Sequence, residues 1–292
     1  MIQGTYLLIC AAGYFALLLL LSYLTSRRAD NDAFFRGNRT SRWWAVAFGM
    51  IGASVSGVTF VSVPGMVESS SMAYIQMCLG FVVGYALVAF VLLPLYYRMN
   101  LTTIYTYLDY RFGHIPYLTG SVFFFISKLI GASIRLYLAC TILQTLIFDH
   151  YGIPFWANTA LLLALMWLYT RRSGIRTIVW SDCLQTFVLL SALVLIIYQL
   201  CSQMEWGIVR AWNEVWNSPM SKVFMFDDPN SKNYFWKQFL GGIFVVVVMT
   251  GLDQDSMQKN LTCRNLKESR LNMCVNGLCY LPVNMLFMAL GV

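Results

Sequence analysis

The chain has 292 residues, of which 59% are hydrophobic and only 11% charged, against about 45–50% and 25% in soluble domains. That composition excludes a water-soluble globule and describes an integral membrane protein. The net charge of +7 does not signal nucleic acid, because the basic residues are spread between apolar segments and form no stripe.

A helix needs about 20 apolar residues to cross a bilayer. Stretches of that kind lie at 6–24, 43–63, 73–97, 118–148, 155–170, 177–201, 236–251 and 271–292, so the fold class is all-α with about eight transmembrane helices. The first stretch has no basic region before it and no small-residue cleavage pattern after it, only Ser26-Arg27-Arg28, and it reads as a retained span.

The second stretch gathers small, hydroxylated and β-branched residues between Ser54 and Thr59, around Gly57, which is poor material for an unbroken helix. Either the helix breaks in mid-membrane, where unwound carbonyls and half-helix ends serve a transporter, or the segment is a tight packing seam. The third stretch carries Gly80 and Gly84 four residues apart, a helix-packing spacing. Tyr74 and Gln76 near its outer end are candidates to touch solute, or interfacial anchors.

In the fourth stretch Lys128 and Arg135 are seven residues apart and share a face, with Gly131 between them. The stretch exceeds the thickness of the hydrocarbon core and is expected to tilt. Lys128 lies near enough to the cytoplasmic end to snorkel. Arg135 is deeper, and its planar fork suits a carboxylate, on a substrate or on Asp182.

Asp182 is the strongest single signal. It lies in the apolar sixth stretch directly after a basic run, and a charge there costs about 3 kcal/mol or more unless it is paired. Gln185 and Thr186 fall on its helical face, a stripe that lines a cavity or a bundle interior. The partner is a cation: a bound ion, Arg135 or another buried group. After this span the loop 202–235 interleaves Trp206, Trp212 and Trp216 with Glu205, Arg210 and Glu214, the pattern of a short amphipathic helix at the interface.

Counting Lys and Arg by alternate loops puts fourteen on one side, Lys259 among them, and four on the other. The positive-inside rule places the richer side in the cytoplasm and the N-terminus outside. No spacing among the eight Cys suggests zinc or a disulfide framework, and His114 and His150 sit in separate loops. With no nucleophile elbow, P-loop or metal motif, an enzyme is not expected.

Several motifs resemble the sodium/solute symporter family: Phe35-Arg36-Gly37-Asn38-Arg39 before Trp43-Trp44, then Gly174-Ile175-Arg176-Thr177-Ile178-Val179-Trp180-Ser181-Asp182-Cys183-Leu184-Gln185, and Gly251-Leu252-Asp253-Gln254-Asp255-Ser256-Met257-Gln258. The resemblance runs in order along the whole chain. It implies the inverted-repeat fold shared with the bacterial leucine transporter, in one transmembrane domain over 1–292: an extra helix at 5–24, a first repeat at 43–201 and the start of a second at 236–292. By the same matching, the carbonyls of Gly52 and Val55 are sodium ligands and Asp182 belongs to an accessory sodium site. Ser54, Ser56 and Thr59 match substrate positions of the sialic-acid subgroup, and Arg135 resembles its carboxylate-binding arginine, although proline carriers also have an arginine nearby.

The expected activity is import of a small polar solute, such as a carboxylated sugar, by sodium-coupled alternating access in the inner membrane. Na⁺ is the coupling ion, no other cofactor is expected, and the partners are the solute and the lipid bilayer. The alternatives are a symporter-like sensor without transport and a carrier of proline or another small carboxylate. The second repeat stops after two helices, so the chain is expected to be incomplete at its C-terminus and not to transport alone.

Overall fold

The computed structural model describes residues 2–25, 39, 41–55, 57–101, 103–170 and 174–292. The basic stretches 26–38 and 171–173, which carry part of the orientation argument and the Phe35 motif, lie outside the described residues. In chain order the helices are α1 (Ile2–Thr25), α2 (Trp43–Ser54), α3 (Gly57–Ser70), α4 (Tyr74–Leu87), α5 (Leu93–Arg98), α6 (Ile104–Phe112), α7 (His114–Leu146), α8 (Phe155–Thr170), α9 (Gly174–Gln203), α10 (Ile208–Asn217), α11 (Phe235–Val246), α12 (Gln254–Asn260) and α13 (Leu266–Gly291). Among the described residues the only extended pairing is a single bridge between Ser41 and Cys263.

Five continuous stretches are long and apolar enough to cross a membrane: Tyr6–Leu24, Gly57–Arg98, His114–Leu146, Thr177–Gln203 and Leu266–Gly291. A sixth is the bent pair Phe235–Gly251 and Gln254–Asn260, while Trp43–Ser54 and Phe155–Leu168 are shorter apolar helices. Helix is present in each of the eight sequence stretches, with a break in the second, but only five or six of the helical stretches among the described residues are long enough to be a span. Along α7 the apolar side chains Leu118, Val122, Phe123, Ile126, Leu129 and Ile130 are all exposed, a patch larger than a soluble monomer leaves uncovered.

The chain forms two compact units. The first holds α1 and α6 to α8. Here Asn158 of α8 is fully buried and its Nδ2 donates to Cys140 O of α7 at 2.9 Å. The helix α6 was not expected: Thr103 caps it, accepting from Tyr105 N at 3.1 Å, and it packs Tyr105 and Leu108 against Gly120 of α7.

The second unit holds α2 to α5, most of α9, and α10 to α13. Phe60 meets Phe287, and Pro64 abuts Gly291, so α3 runs parallel to α13. Phe81 meets Tyr280, and Tyr85 abuts Gly277, so α4 runs antiparallel to it. The apolar run Gly57–Arg98 is therefore a hairpin, reversing through a 3-10 turn at Ser71–Ala73 with Ser71 at φ 52°. The second span reaches Ser70, past the expected limit at residue 63, with Pro64 inside the helix.

The expected packing spacing in α4 is used. A Cβ on Gly80 would overlap Phe239 O of α11, one on Gly242 would overlap Met77 O, and one on Gly84 would come within 2.8 Å of Val246. Between α4 and α5 a π-helical turn, Val88–Leu92, precedes Pro94; a widened turn is one way a helix absorbs the missing proline N–H. The loop after α9 carries the expected amphipathic helix as α10, whose Trp212 and Trp216 rings stack at 6.1 Å.

Candidate functional site

The site grows from a break in the second span. At Val55, fully buried, the backbone leaves the helix (φ −94°, ψ 108°) while its N–H still bonds Ile51 O at 2.9 Å. Helix resumes at Gly57. Breaking a helix frees the carbonyls of its last turn from their intrahelical donors, and one of them, Gly52 O, accepts from Gln185 Nε2 at 3.4 Å.

The polar stripe of α9 faces this end of α2. Cys183 Sγ donates to Ala45 O at 2.9 Å, and Thr186 Oγ1 lies 2.9 Å from Phe48 O and 2.7 Å from Asp182 O. Gly49 and Gly52 permit the approach, since a Cβ on Gly49 would stand 3.1 Å from Val179 O and one on Gly52 would overlap Thr186.

A second break lies at Leu252 and Asp253. A π-helical turn, Val247–Gly251, follows α11, and α12 then departs at 71°. Asp253 caps α12 by accepting from Asp255 N at 3.0 Å. Tyr96 of α5 donates its hydroxyl to the freed Gly251 O at 3.3 Å.

The buried Tyr85 of α4 lies between the two breaks, close to Ser54 beside the first, Thr250 beside the second, and Asn276 of α13. Asn276 is itself fully buried, and neither atom of its amide makes a hydrogen bond of normal geometry.

Asp182 has a protein cation as its partner. Lys259 Nζ of α12 lies 2.9 Å from its Oδ2 and 3.4 Å from Asp255 Oδ2, with the lysine side chain 7% exposed and that of Asp182 14%. This corrects the count of Lys259 among the loop cations: it is buried inside the unit. Arg135, the other proposed partner, sits exposed on α7 in the first unit, its guanidinium beside Gly131.

The remaining sequence candidates are placed variously. Ser54, exposed, and Thr59, half-buried, flank the break, while Ser56 lies outside the described residues. Tyr74 meets Tyr280 and Phe81. Gln76 is fully buried and holds the outer loop: its Nε2 donates to Ala73 O (3.2 Å) and Asn233 O (3.0 Å), and its Oε1 accepts from Met225 N (3.1 Å). Among the described residues no group of three His, Cys, Asp or Glu could hold a metal ion.

Sequence reasoning missed Tyr85, Thr250, Asn276 and Lys259. Two signals were there to find: Asp255 and Lys259 at an i,i+4 spacing, and Asn272, Asn276 and Asn284 at four- and eight-residue steps in an apolar helix.

The profile of the sodium:solute symporter family matches residues 34–290. Over 278 residues the chain is 26% identical to the sodium/iodide cotransporter of Homo sapiens, covering 90% of this chain and 42% of the relative. Over 286 residues it is 24% identical to the sodium/sialic acid symporter SiaT of Proteus mirabilis, covering 96% and 56%. A solved structure of a Na⁺-coupled sialic acid symporter, substrate-bound and outward-open, matches with a TM-score of 0.83 at 24% identity, over 96% of this chain and 59% of that one. The chain thus spans about half the length of the relatives it matches, which are transporters and not enzymes.

Proposed function

Because the chain belongs to the sodium:solute symporter family, a family of multi-pass membrane proteins, we propose that it acts as, or within, a sodium-coupled symporter importing a small polar solute by alternating access. The observation that carries this reading is the pair of broken helices, one at Val55 against the polar stripe of α9 and one bent by 71° at Leu252 and Asp253. Broken helices gather carbonyls and half-helix ends at the middle of a membrane, where ions and solutes bind.

In this reading the repeats begin at 43 and 236, and each opens with a broken helix, α2/α3 and α11/α12. Na⁺ binds the carbonyl oxygens of Gly52 and Val55, with Asp182 at an accessory position. The solute lies beside Ser54, Ser56 and Thr59, with Tyr74 as a further contact and Gln76 acting through the outer loop, while Arg135 of the first unit is the carboxylate-binding residue that the family resemblance implies. Coupling is thermodynamic: Na⁺ favours the arrangement of the break that holds solute, and the difference in its affinity between outward and inward states sets the bias. The N-terminus faces outside and the basic loops face the cytoplasm, in the inner membrane.

A carboxylated solute is favoured. Relatives named for sialic acid and for monocarboxylates both match, the latter including sodium-coupled monocarboxylate transporter 1 of Mus musculus at 23% identity over 83% of this chain. The test is the thermal midpoint of the purified protein in NaCl or choline chloride, with sialic acid, a short monocarboxylate, proline, iodide and a neutral sugar. A carboxylate should raise the midpoint, and raise it more in Na⁺. Stabilisation by neutral sugar alone rejects the carboxylate; indifference to Na⁺ rejects symport.

A further inference from the structure

We propose that Lys259 is a tethered competitor of Na⁺ for the Asp182 carboxylate, so that sodium arriving at this position displaces the ammonium and frees α12 from α9. The inference rests on the sodium reading above and adds to it the group that must leave. Lys259 Nζ stands 2.9 Å from Asp182 Oδ2, where a second cation on the same oxygen would meet a like charge at contact distance. With both side chains largely buried, solvent screens that repulsion weakly.

The ammonium has somewhere to go. Asp255, one turn earlier on α12, already lies 3.4 Å from the same Nζ and is 56% exposed. A small rotation of the lysine stem transfers the ammonium from the buried carboxylate to the open one without stranding a charge. The two seats belong to different elements, because Asp182 is on α9 and Asp255 is on α12 itself. With Lys259 on Asp182 the two helices are tied; with Lys259 on Asp255 the tie is gone.

The test measures the thermal midpoint of the full chain against NaCl, at ionic strength held constant with choline chloride, for the wild type and Lys259→Gln, Lys259→Arg, Asp255→Asn and the double variant Asp182→Asn/Lys259→Gln. Lys259→Gln should lower the half-saturating Na⁺ roughly fivefold, a typical size for coupling between two ligands. The double variant should lose that gain, and Lys259→Arg should stay near the wild type. If Lys259→Gln does not fold, Asp255→Asn decides, since removal of the alternative seat should raise half-saturating Na⁺. A wild-type Na⁺ response that Lys259→Gln or Asp255→Asn leaves unchanged overturns the competition and spares the sodium reading. No Na⁺-specific response in any of these proteins overturns both.

Discussion

Gly52 lies so close to Thr186 that an added Cβ would overlap the threonine hydroxyl and stand 2.8 Å from its Cβ and 2.9 Å from its Cα. The last turn of α2 and the middle of α9 therefore meet almost backbone to backbone, next to the break at Val55. Gly52→Ala is expected to destabilise the protein by about 1–3 kcal/mol, the usual cost of overpacking. Thr186→Ala should recover only part of this, because the Cβ and Cα of residue 186 remain in the way. Thermal midpoints of the two single variants and the double variant in detergent check both statements.

The seam between α4 and α11 makes a parallel case without any polar group. Gly80→Ala or Gly242→Ala drives a methyl into a facing backbone carbonyl, and carbonyls cannot turn aside as side chains do. Each substitution should cost about 1–3 kcal/mol, seen as a lower midpoint, whereas Gly241→Ala, with open space around it, should be close to neutral.

Tyr85→Phe removes the hydroxyl close to Ser54, Thr250 and Asn276. The loss should be about 0.5–1.5 kcal/mol, the usual net worth of one hydrogen bond, because Ser54 is exposed and the Asn276 amide is already without a partner. If Tyr85 belongs to the solute site, the variant also loses solute-induced stabilisation out of proportion to its own fall in midpoint. A solute shift equal to that of the wild type would assign Tyr85 to packing alone.

Gln76→Ala cuts the tie between α4 and the loop that precedes α11, where Met225 N and Asn233 O lose their amide partner. Limited proteolysis should nick residues 218–234 faster in the variant, while the midpoint falls by about 1–3 kcal/mol equivalent. Unchanged cleavage would show that the loop is held by other contacts, such as the stacking of Phe224 and Phe226 around Phe235.

Cys263, fully buried in the loop between α12 and α13, gives a pH test. Burial pushes its thiol up to about 12, the neighbouring Ser269 hydroxyl opposes this, and the nearby Glu268 carboxylate adds to the rise. The folded state thus favours the neutral thiol. Its contribution to stability is complete below the unfolded thiol value near about 8.5 and drains away as pH climbs towards the folded one. At pH 8 a maleimide should label Cys263 only after unfolding; rapid labelling of the native protein would contradict the burial.

Asp182 was legible because a lone charge in an apolar run has no structural excuse, and the break near Val55 because its residues disfavour helix. Lys259 was not, since in sequence it stands with Arg264, Lys267 and Arg270 and reads as one more cytoplasmic cation. Only the 71° turn of a seven-residue helix carries it back under α9, and so short a helix shows no hydrophobic period. The limb from residue 64 to Ser70 was not legible because the apolar run weakens there and Pro64 disfavours helix, yet α13 packs beside it, and tertiary packing outweighed the local preference. The role of Gln76 could not be read because its partners, Met225 and Asn233, lie about 150 residues away.

The bend between α11 and α12 works as a universal joint. A continuous helix carries torque along its length, whereas a break of two residues lets one half turn while the other stays seated. The glycine seam clamps α11 to α4, while α12 is fastened to α9 through an ion pair. Rotation on the lysine side therefore leaves the backbone contacts on the glycine side undisturbed, and amide exchange in α12 should run ahead of exchange in α11.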